Sequence, residues 1–248
     1  MQDLAEQRQK TILEMMNREA QVLVSGLARH FAVSEMTIRR DLKTLEDLGL
    51  ALRVHGGAVP VEKSRFTSRL AANAPAKARA VGKLVDMLPQ EGCIYFDGST
   101  TILNLVKHLK GRTRLQVATN NVETFNRIAA VRGPTPILLG GALDLRTDNL
   151  IGPLAMRSLE ALAFEKAFFS AWGLAENTGL NEVTIEDAGV KEVVASHSRQ
   201  VYVAVDHSKL GVVAGGIWRH GGAAVLATDY KPEDVRLDPF RPMFATII

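Results

Sequence analysis

Ser34-Glu35-Met36-Thr37-Ile38-Arg39-Arg40-Asp41-Leu42-Lys43-Thr44-Leu45-Glu46-Asp47-Leu48-Gly49 decides the fold of the first quarter of the chain. Ser34 is a good N-cap, because its side-chain oxygen can accept an N–H left unpaired in the first helical turn. Glu35 suits the positive end of the helix dipole. Ile38, Leu42, Leu45 and Leu48 recur at helical spacing as one apolar stripe, and Gly49 is a stop signal. The pattern predicts a helix over residues 35–48. Thr37, Arg39, Arg40 and Lys43 fall off the stripe. Arginine can hold guanine or phosphate through two N–H groups, and threonine can bond a phosphate oxygen.

Upstream, Leu4 to Asn17 carries Ile12, Leu13 and Met16 at helical spacing, and Val22-Leu23-Val24 is a short extended run. Ser25 is expected to cap a helix through Phe31, with Leu27, Ala28 and Phe31 inward; Val33 connects it to the next. Two short helices around a tight turn, the second basic on its outer face, form a helix-turn-helix. Downstream, the extended runs within 50–59 flank Gly56-Gly57 as a small β-ribbon, or wing, whose Arg53 and His55 face a DNA backbone or minor groove. Net charge does not help: residues 1–60 hold eight Lys/Arg and eight Asp/Glu. Charge placement carries the reading, and a solvated helix of an interaction module would share its periodicity.

The runs Val33 to Leu42, Leu45 to Gly49 and Arg53 to Ala58 closely resemble the DNA-binding signature of the DeoR family of bacterial repressors. The resemblance implies that Ser34, Thr37, Arg39 and Arg40 face DNA. Asp41 is expected to pair within the module, since phosphates repel a carboxylate. Gly26 departs from the acidic or polar residue usual there.

Residues 1–60 are therefore read as a winged helix-turn-helix, 61–76 as a linker and 77–248 as an α/β domain. Around the joint, Lys63, Arg65, Arg69, Lys77 and Arg79 stand against Glu62 alone. They could follow a DNA backbone or be a solvated hinge. Beyond it a helix is expected over 78–88, closed by Pro89 and Gly92. Apolar runs of strand length then alternate with helical patterns. Ile94 to Phe96 ends at Asp97, Leu115 to Ala118 at Thr119-Asn120, and Ile137 to Leu139 at Gly140-Gly141. Ala167 to Phe169 ends at Ser170, Val201 to Val205 at Asp206, and Ala223 to Ala227 at Thr228-Asp229. Helices are expected over 102–109, after Asn121 to Ala130, and over 184–198. The alternation predicts a mostly parallel sheet flanked by helices.

Such sheets bind ligands at the carboxyl ends of their strands. Gly98-Ser99-Thr100-Thr101 offers N–H groups, hydroxyls and a helix start, which suit a phosphate or simply cap the helix. Asp97 and Asn120 can bind sugar hydroxyls. Lys209 can neutralise a phosphate or lie solvated. Gly140-Gly141 is a turn or part of a pocket. Asp187 and Lys191, four apart, are an ion pair or pocket residues. This half is similar to the DeoR-family sensor domain, itself similar in fold to ribose-5-phosphate isomerase. The matching runs are Asp97 to Thr101, Thr119-Asn120, Leu139 to Gly141, Asp187-Ala188, Val190-Lys191, Asp206 to Lys209 and Gly211. The resemblance implies a phosphorylated sugar or related metabolite as effector. Two departures are Asp187, where the family usually has Glu, and the order Gly98-Ser99.

Bulk properties set the frame. A chain of 248 residues, 46% hydrophobic and 23% charged, can bury a real core. Its formal charge of +3 is too small to argue for nucleic acid. The single cysteine, Cys93, excludes an intramolecular disulfide and suits a reducing cytoplasm. The six histidines are scattered, so no metal site or cofactor is expected. No signal peptide or membrane span is read. The expected partners are double-stranded operator DNA, the sugar phosphate and further copies of the chain, as homodimer or homotetramer. Two other readings remain: a sugar-phosphate isomerase or hydrolase using Asp97, Asp187 and Lys209, and an activator or a repressor with a non-sugar effector.

Overall fold

The computed structural model describes residues 2–19, 22–48, 50–54, 56–60, 69–144, 147–220 and 223–248. The chain divides into two compact units, residues 1–72 and 73–248.

The first unit holds α1 (Gln2–Glu19), β1 (Val22–Leu23), α2 (Val24–Phe31), α3 (Glu35–Asp47), β2 (Ala51–Val54) and β3 (Gly57–Pro60). Ile12, Met16, Val24, Leu27, Ile38, Leu42 and Leu45 form its core. Ser34 caps α3, accepting the Thr37 N–H at 3.1 Å. Ser25 does not cap α2. The helix begins at Val24, which is buried in the core and donates its N–H to the Gly56 carbonyl at 2.9 Å. Leu48 leaves the buried stripe and is 63% exposed, because α3 stops at Asp47 and Leu48 is its C-cap. Gly49 lies outside the described residues. The run at Val22 is the third strand of the ribbon, with Val22 opposite Ala58 and Leu23 opposite Gly57. Glycine is required at 57, since a Cβ there would collide with the Val22 carbonyl. Gly56 turns the ribbon at φ +75°.

The second unit begins with α4 (Ala74–Gly82), four residues before the expected helix. Pro75, read as part of the linker, instead sits in the first helical turn, where its missing N–H costs nothing. Only a 3-10 turn, Val85–Met87, follows. Next come β4 (Glu91–Phe96), β5 (Arg114–Thr119), α5 (Val122–Ala129) and β6 (Thr135–Leu138). The hairpin β7 (Ala142–Asp144) and β8 (Asn149–Ile151) precedes α6 (Pro153–Glu160) and β9 (Phe164–Phe169). A second hairpin, β10 (Gly173–Ala175) and β11 (Gly179–Glu182), precedes α7 (Ile185–Ser196) and β12 (Ser198–Val205). β13 (Gly216–Ile217), β14 (Val225–Thr228) and β15 (Thr246–Ile247) complete the strands. The helix expected over residues 102–109 is present, wound as a 3-10 helix.

Seven strands make one sheet, in the order β15-β14-β12-β9-β4-β5-β6. Every pairing in it is parallel. The chain lays down β4, moves outward through β5 and β6, then crosses back to β9 and moves outward the other way. The order therefore reverses between β4 and β9, and a crevice opens where neighbouring loops part in opposite directions. The strands are most deeply buried at their carboxyl halves, so the polar residues just beyond them sit over the core.

Candidate functional site

On α3 the structure sorts the basic residues by what already holds them. Arg39 reaches back to Glu35 at 3.2 Å and Lys43 forward to Asp47 at 3.3 Å, both exposed pairs. The exposed Arg40 side chain forms no ion pair among the described residues. Ser34 and Thr37 share a 2.9 Å hydroxyl contact beside the cap. Asp41 is 4% exposed and takes Arg8 Nε at 2.6 Å and Gln9 Nε2 at 3.1 Å, tying α1 to α3. It pairs within the module, as the sequence suggested. Arg53 lies on β2, and His55 lies outside the described residues.

At the switch point of the parallel sheet, Asp97 follows β4 and Ser170 follows β9. One Asp97 oxygen accepts the Ser99 N–H at 3.0 Å, which shapes the Gly98–Thr101 turn. The other accepts the Ser170 N–H at 2.7 Å and Lys191 Nζ at 3.0 Å. Lys191 also donates to the Ser170 carbonyl at 2.7 Å and to Glu182. The Asp187–Lys191 ion pair is not formed. Asp187 instead closes the first turn of α7 with Thr184 at 2.9 Å and accepts Asn149 Nδ2 at 2.8 Å. Helical spacing put both side chains within reach of each other, but Lys191 has two better-placed carboxylates.

Burial alone would strip the Lys191 proton, but Glu182 and Asp97 outweigh it and hold the ammonium above the usual lysine range. Burial lifts the Glu182 carboxyl above its ordinary value despite the pull of Lys191, with Asp97 and Asp187 adding to the rise. Tyr95 is raised by burial, stays a phenol, and donates to Asn120 at 2.7 Å.

The other expected residues occupy the same edge with different tasks. Thr119 accepts the Asn121 N–H at 3.2 Å, and Asn120 donates to the Leu150 carbonyl at 3.2 Å. Gly140 donates to Ser158 at 3.1 Å, and at Gly141 (φ +148°) a Cβ would press on the Ile151 backbone at 3.0 Å, so this pair seats the hairpin. Asp206 caps the 3-10 turn after β12, and its Oδ2 is buried with no partner among the described residues. Lys209 Nζ lies 5.2 Å from the Trp172 ring centroid, a cation–π contact.

Sequence reasoning missed several residues here. Lys77 was counted only among the joint's charges, yet it is 4% exposed and donates to the Thr100 hydroxyl at 3.2 Å. Its α4 position, next to Ala76 and Ala80 in the buried stripe, was the available signal. Asn121 caps α5 and also holds Asn149 at 2.9 Å, and Glu182 arrives on a hairpin strand too short to show a pattern.

Two family models match: the DeoR-like helix-turn-helix domain over residues 8–64 and the DeoR C terminal sensor domain over residues 72–216. The chain is 30% identical over 208 residues to the glycerol-3-phosphate regulon repressor of Escherichia coli (strain K12), covering 83% of this chain and 82% of that protein. It is 31% identical over 206 residues to the L-fucose operon activator of Haemophilus influenzae, covering 82% of each. Ribose 5 phosphate isomerase A from Neisseria gonorrhoeae is a distant structural neighbour, with TM-score 0.37 and 16% identity over 59% of this chain and 55% of that one. A likeness that loose carries no argument about chemistry. The two models together cover most of residues 8–216, and the chain belongs to the DeoR family of transcriptional regulators.

Proposed function

We propose that the chain represses a carbohydrate catabolism operon and that a phosphorylated sugar or related metabolite sets its grip on operator DNA. Residues 1–60 act as the DNA-binding domain, 61–76 as the joint and 77–248 as the sensor. Ser34, Thr37, Arg39, Arg40 and Lys43 on or beside α3 contact DNA, with Arg53 and His55 of the wing on its backbone or minor groove. The weak exposed pairs of Arg39 and Lys43 are given up to phosphates at little cost.

One observation carries the sensor reading: a buried lysine, Lys77, bonded to a threonine hydroxyl on the Asp97–Thr101 turn at the sheet's switch point. A cation, hydroxyls and a helix start at one turn suit a phosphate group. The phosphate belongs at Gly98, Ser99, Thr100 and Thr101, with Lys209 near the mouth. The carboxylate-rich set around Lys191, with Asp97 and Asp187, repels phosphate and suits sugar hydroxyls, as do Thr119, Asn120 and Asp206. Gly140 and Gly141 bring the hairpin over this edge.

The repressor reading leans on the glycerol-3-phosphate regulon repressor, and the L-fucose operon activator marks the opposite sign as its rival. We further propose a cytoplasmic homodimer or homotetramer on repeated half-sites. No cofactor and no turnover are proposed.

Thermal-shift screening with sugar and polyol phosphates, glycerol 3-phosphate included, tests the sensor, because a ligand of the folded state raises its melting temperature. A compound that shifts the melt should also change the mobility shift of the chain's own promoter DNA. A panel without any shift sinks the effector reading, and equal affinity for promoter and random DNA sinks the operator reading. Transcription in vitro from that promoter decides the sign.

A further inference from the structure

Met36 is the second residue of α3 and is 73% exposed. A single apolar side chain in water needs no explanation, but the position of this one does. At about 100° per residue, Met36 lies opposite the buried stripe of Ile38, Leu42 and Leu45. Arg39 and Arg40 flank it on either side one turn further on, and Lys43 stands beyond it on the same line; all three are exposed. Thr37, its hydroxyl 2.9 Å from that of Ser34, borders the same face. Met36 is thus the apolar centre of the basic face of α3.

Its chemistry narrows what it can recognise. A methionine side chain has no N–H or O–H and only a weakly accepting sulfur, so it neither clamps a phosphate nor reads a hydrogen-bonding base edge. The apolar group that base pairs present in the major groove is the C5-methyl of thymine. A recognition helix meets base edges with its N-terminal residues, and Met36 follows directly on the Ser34 cap and Glu35. An unbranched, polarisable chain can fit itself around a methyl group. Cations on both sides of Met36 match the phosphates that line both rims of a groove.

We propose that Met36 is a specificity-determining residue of the DNA interface, packing its thioether against the C5-methyl of one thymine in each operator half-site. Arg39, Arg40 and Lys43 around it hold phosphate or guanine. This role rests on the operator-binding reading above and adds to it a residue that recognises sequence by apolar contact alone.

The probe is the chain's own promoter DNA, with each thymine that the full chain protects replaced in turn by deoxyuridine. That change removes the methyl group and keeps every hydrogen-bonding group of the base. In mobility shifts, deoxyuridine at one thymine per half-site should weaken binding about three- to five-fold, the worth of one buried methyl. Met36→Ala puts a good helix former at an exposed site, so the fold is kept. It should bind the unmodified DNA more weakly by a similar factor, lose nothing further from deoxyuridine at that position, and keep the salt slope unchanged, since no phosphate contact is removed. Met36→Leu should stay sensitive to the methyl group. Binding by the unsubstituted chain that deoxyuridine weakens nowhere overturns the proposal, and that result depends on no variant. A Met36→Ala chain that loses as much from deoxyuridine as the unsubstituted chain overturns it too, because another side chain then holds the methyl group. Equal affinity for promoter and random DNA is a different failure, which removes operator binding itself and this role with it.

Discussion

At the scale of single residues, α3 separates a side chain available to DNA from side chains that hold the module together. Arg40 enters the complex without first breaking a pair, whereas Arg39 must leave Glu35. Arg40→Ala is therefore expected to weaken promoter binding more than Arg39→Ala does. If Arg40 meets a phosphate, the slope of log affinity against log salt falls by about 0.9. If it reads a base, affinity falls with the slope unchanged and discrimination against random DNA relaxes. Equal losses from the two variants would contradict this ranking. Asp41 is the opposite case. It stands one residue from Arg40 but is buried with Arg8 and Gln9. Asp41→Leu leaves the half-buried Arg8 without its partner, and losing such a charged hydrogen-bond partner costs about 1–3 kcal/mol. Urea unfolding of the first unit should show that loss, while Asp47→Ala, from an exposed pair, should change stability by less than about 0.5 kcal/mol.

At the scale of elements, the geometry explains the unusual order Gly98-Ser99. A Cβ at 98 would collide with Asn149 Oδ1 and come within 2.8 Å of Asn121. Asn121 and Asn149 are bonded to each other, and Asn149 continues to Asp187, so residue 98 gives room to a relay joining β5, the β7–β8 hairpin and α7. Gly98→Ala is expected to destabilise by about 1–3 kcal/mol, as overpacking does, and to reduce the sugar-phosphate thermal shift. An unchanged melt and an unchanged shift would show that the hairpin yields freely. A second tie joins the turn after β12 to the end of β14. Burial disfavours the Asp229 carboxylate, but the His207 backbone N–H at 2.7 Å and ring Nδ1 at 2.8 Å outweigh it and hold its pKa below the usual value. The unfolded chain then takes up this proton first as pH falls. The stabilisation is complete above the ordinary aspartate value of about 3.9 and is lost as pH drops through the lower native value. Asp229→Asn should cost about 1–3 kcal/mol at pH 7, and its deficit should shrink below about pH 4; a constant deficit would assign the effect to packing. These ties also mark the limit of what the sequence shows. Each long β-strand announced itself as an apolar run ending in a polar residue, because burial at the carboxyl halves is a local compositional fact. The strands of the hairpins, three or four residues long, have too few positions to display alternation. The Asn149 and Glu182 contacts arise from chain crossings that no spacing rule encodes. Lys77 was obscured because Pro75 reads equally as linker and as first helical turn.

At the scale of the whole molecule, the two units must share one free-energy balance if the proposed control is real. A sugar phosphate bound in residues 73–248 can loosen DNA held by residues 1–72 only if it prefers the state that binds DNA less well. Coupling of this kind amounts to about 1–3 kcal/mol, or roughly 5- to 150-fold in affinity. Thermodynamic linkage then requires the reverse effect at equal size: operator DNA must weaken the sugar phosphate by the same factor. The measurement is a pair of titrations, effector into free protein and effector into protein saturated with operator, beside DNA titrations with and without effector. Equal factors identify the switch-point ligand as the controlling effector. If the effector loosens DNA but DNA leaves effector affinity untouched, the cycle does not close, and the observed release must involve a further equilibrium such as dissociation of the assembly. Protein concentration separates these cases. A coupling confined to one protomer is independent of concentration, whereas one routed through assembly strengthens as the protein is diluted towards its own dissociation constant. Lys191→Met adds the local control. It leaves Asp97 and Glu182 without their cation and should remove the effector's influence on DNA while Arg40 still binds operator.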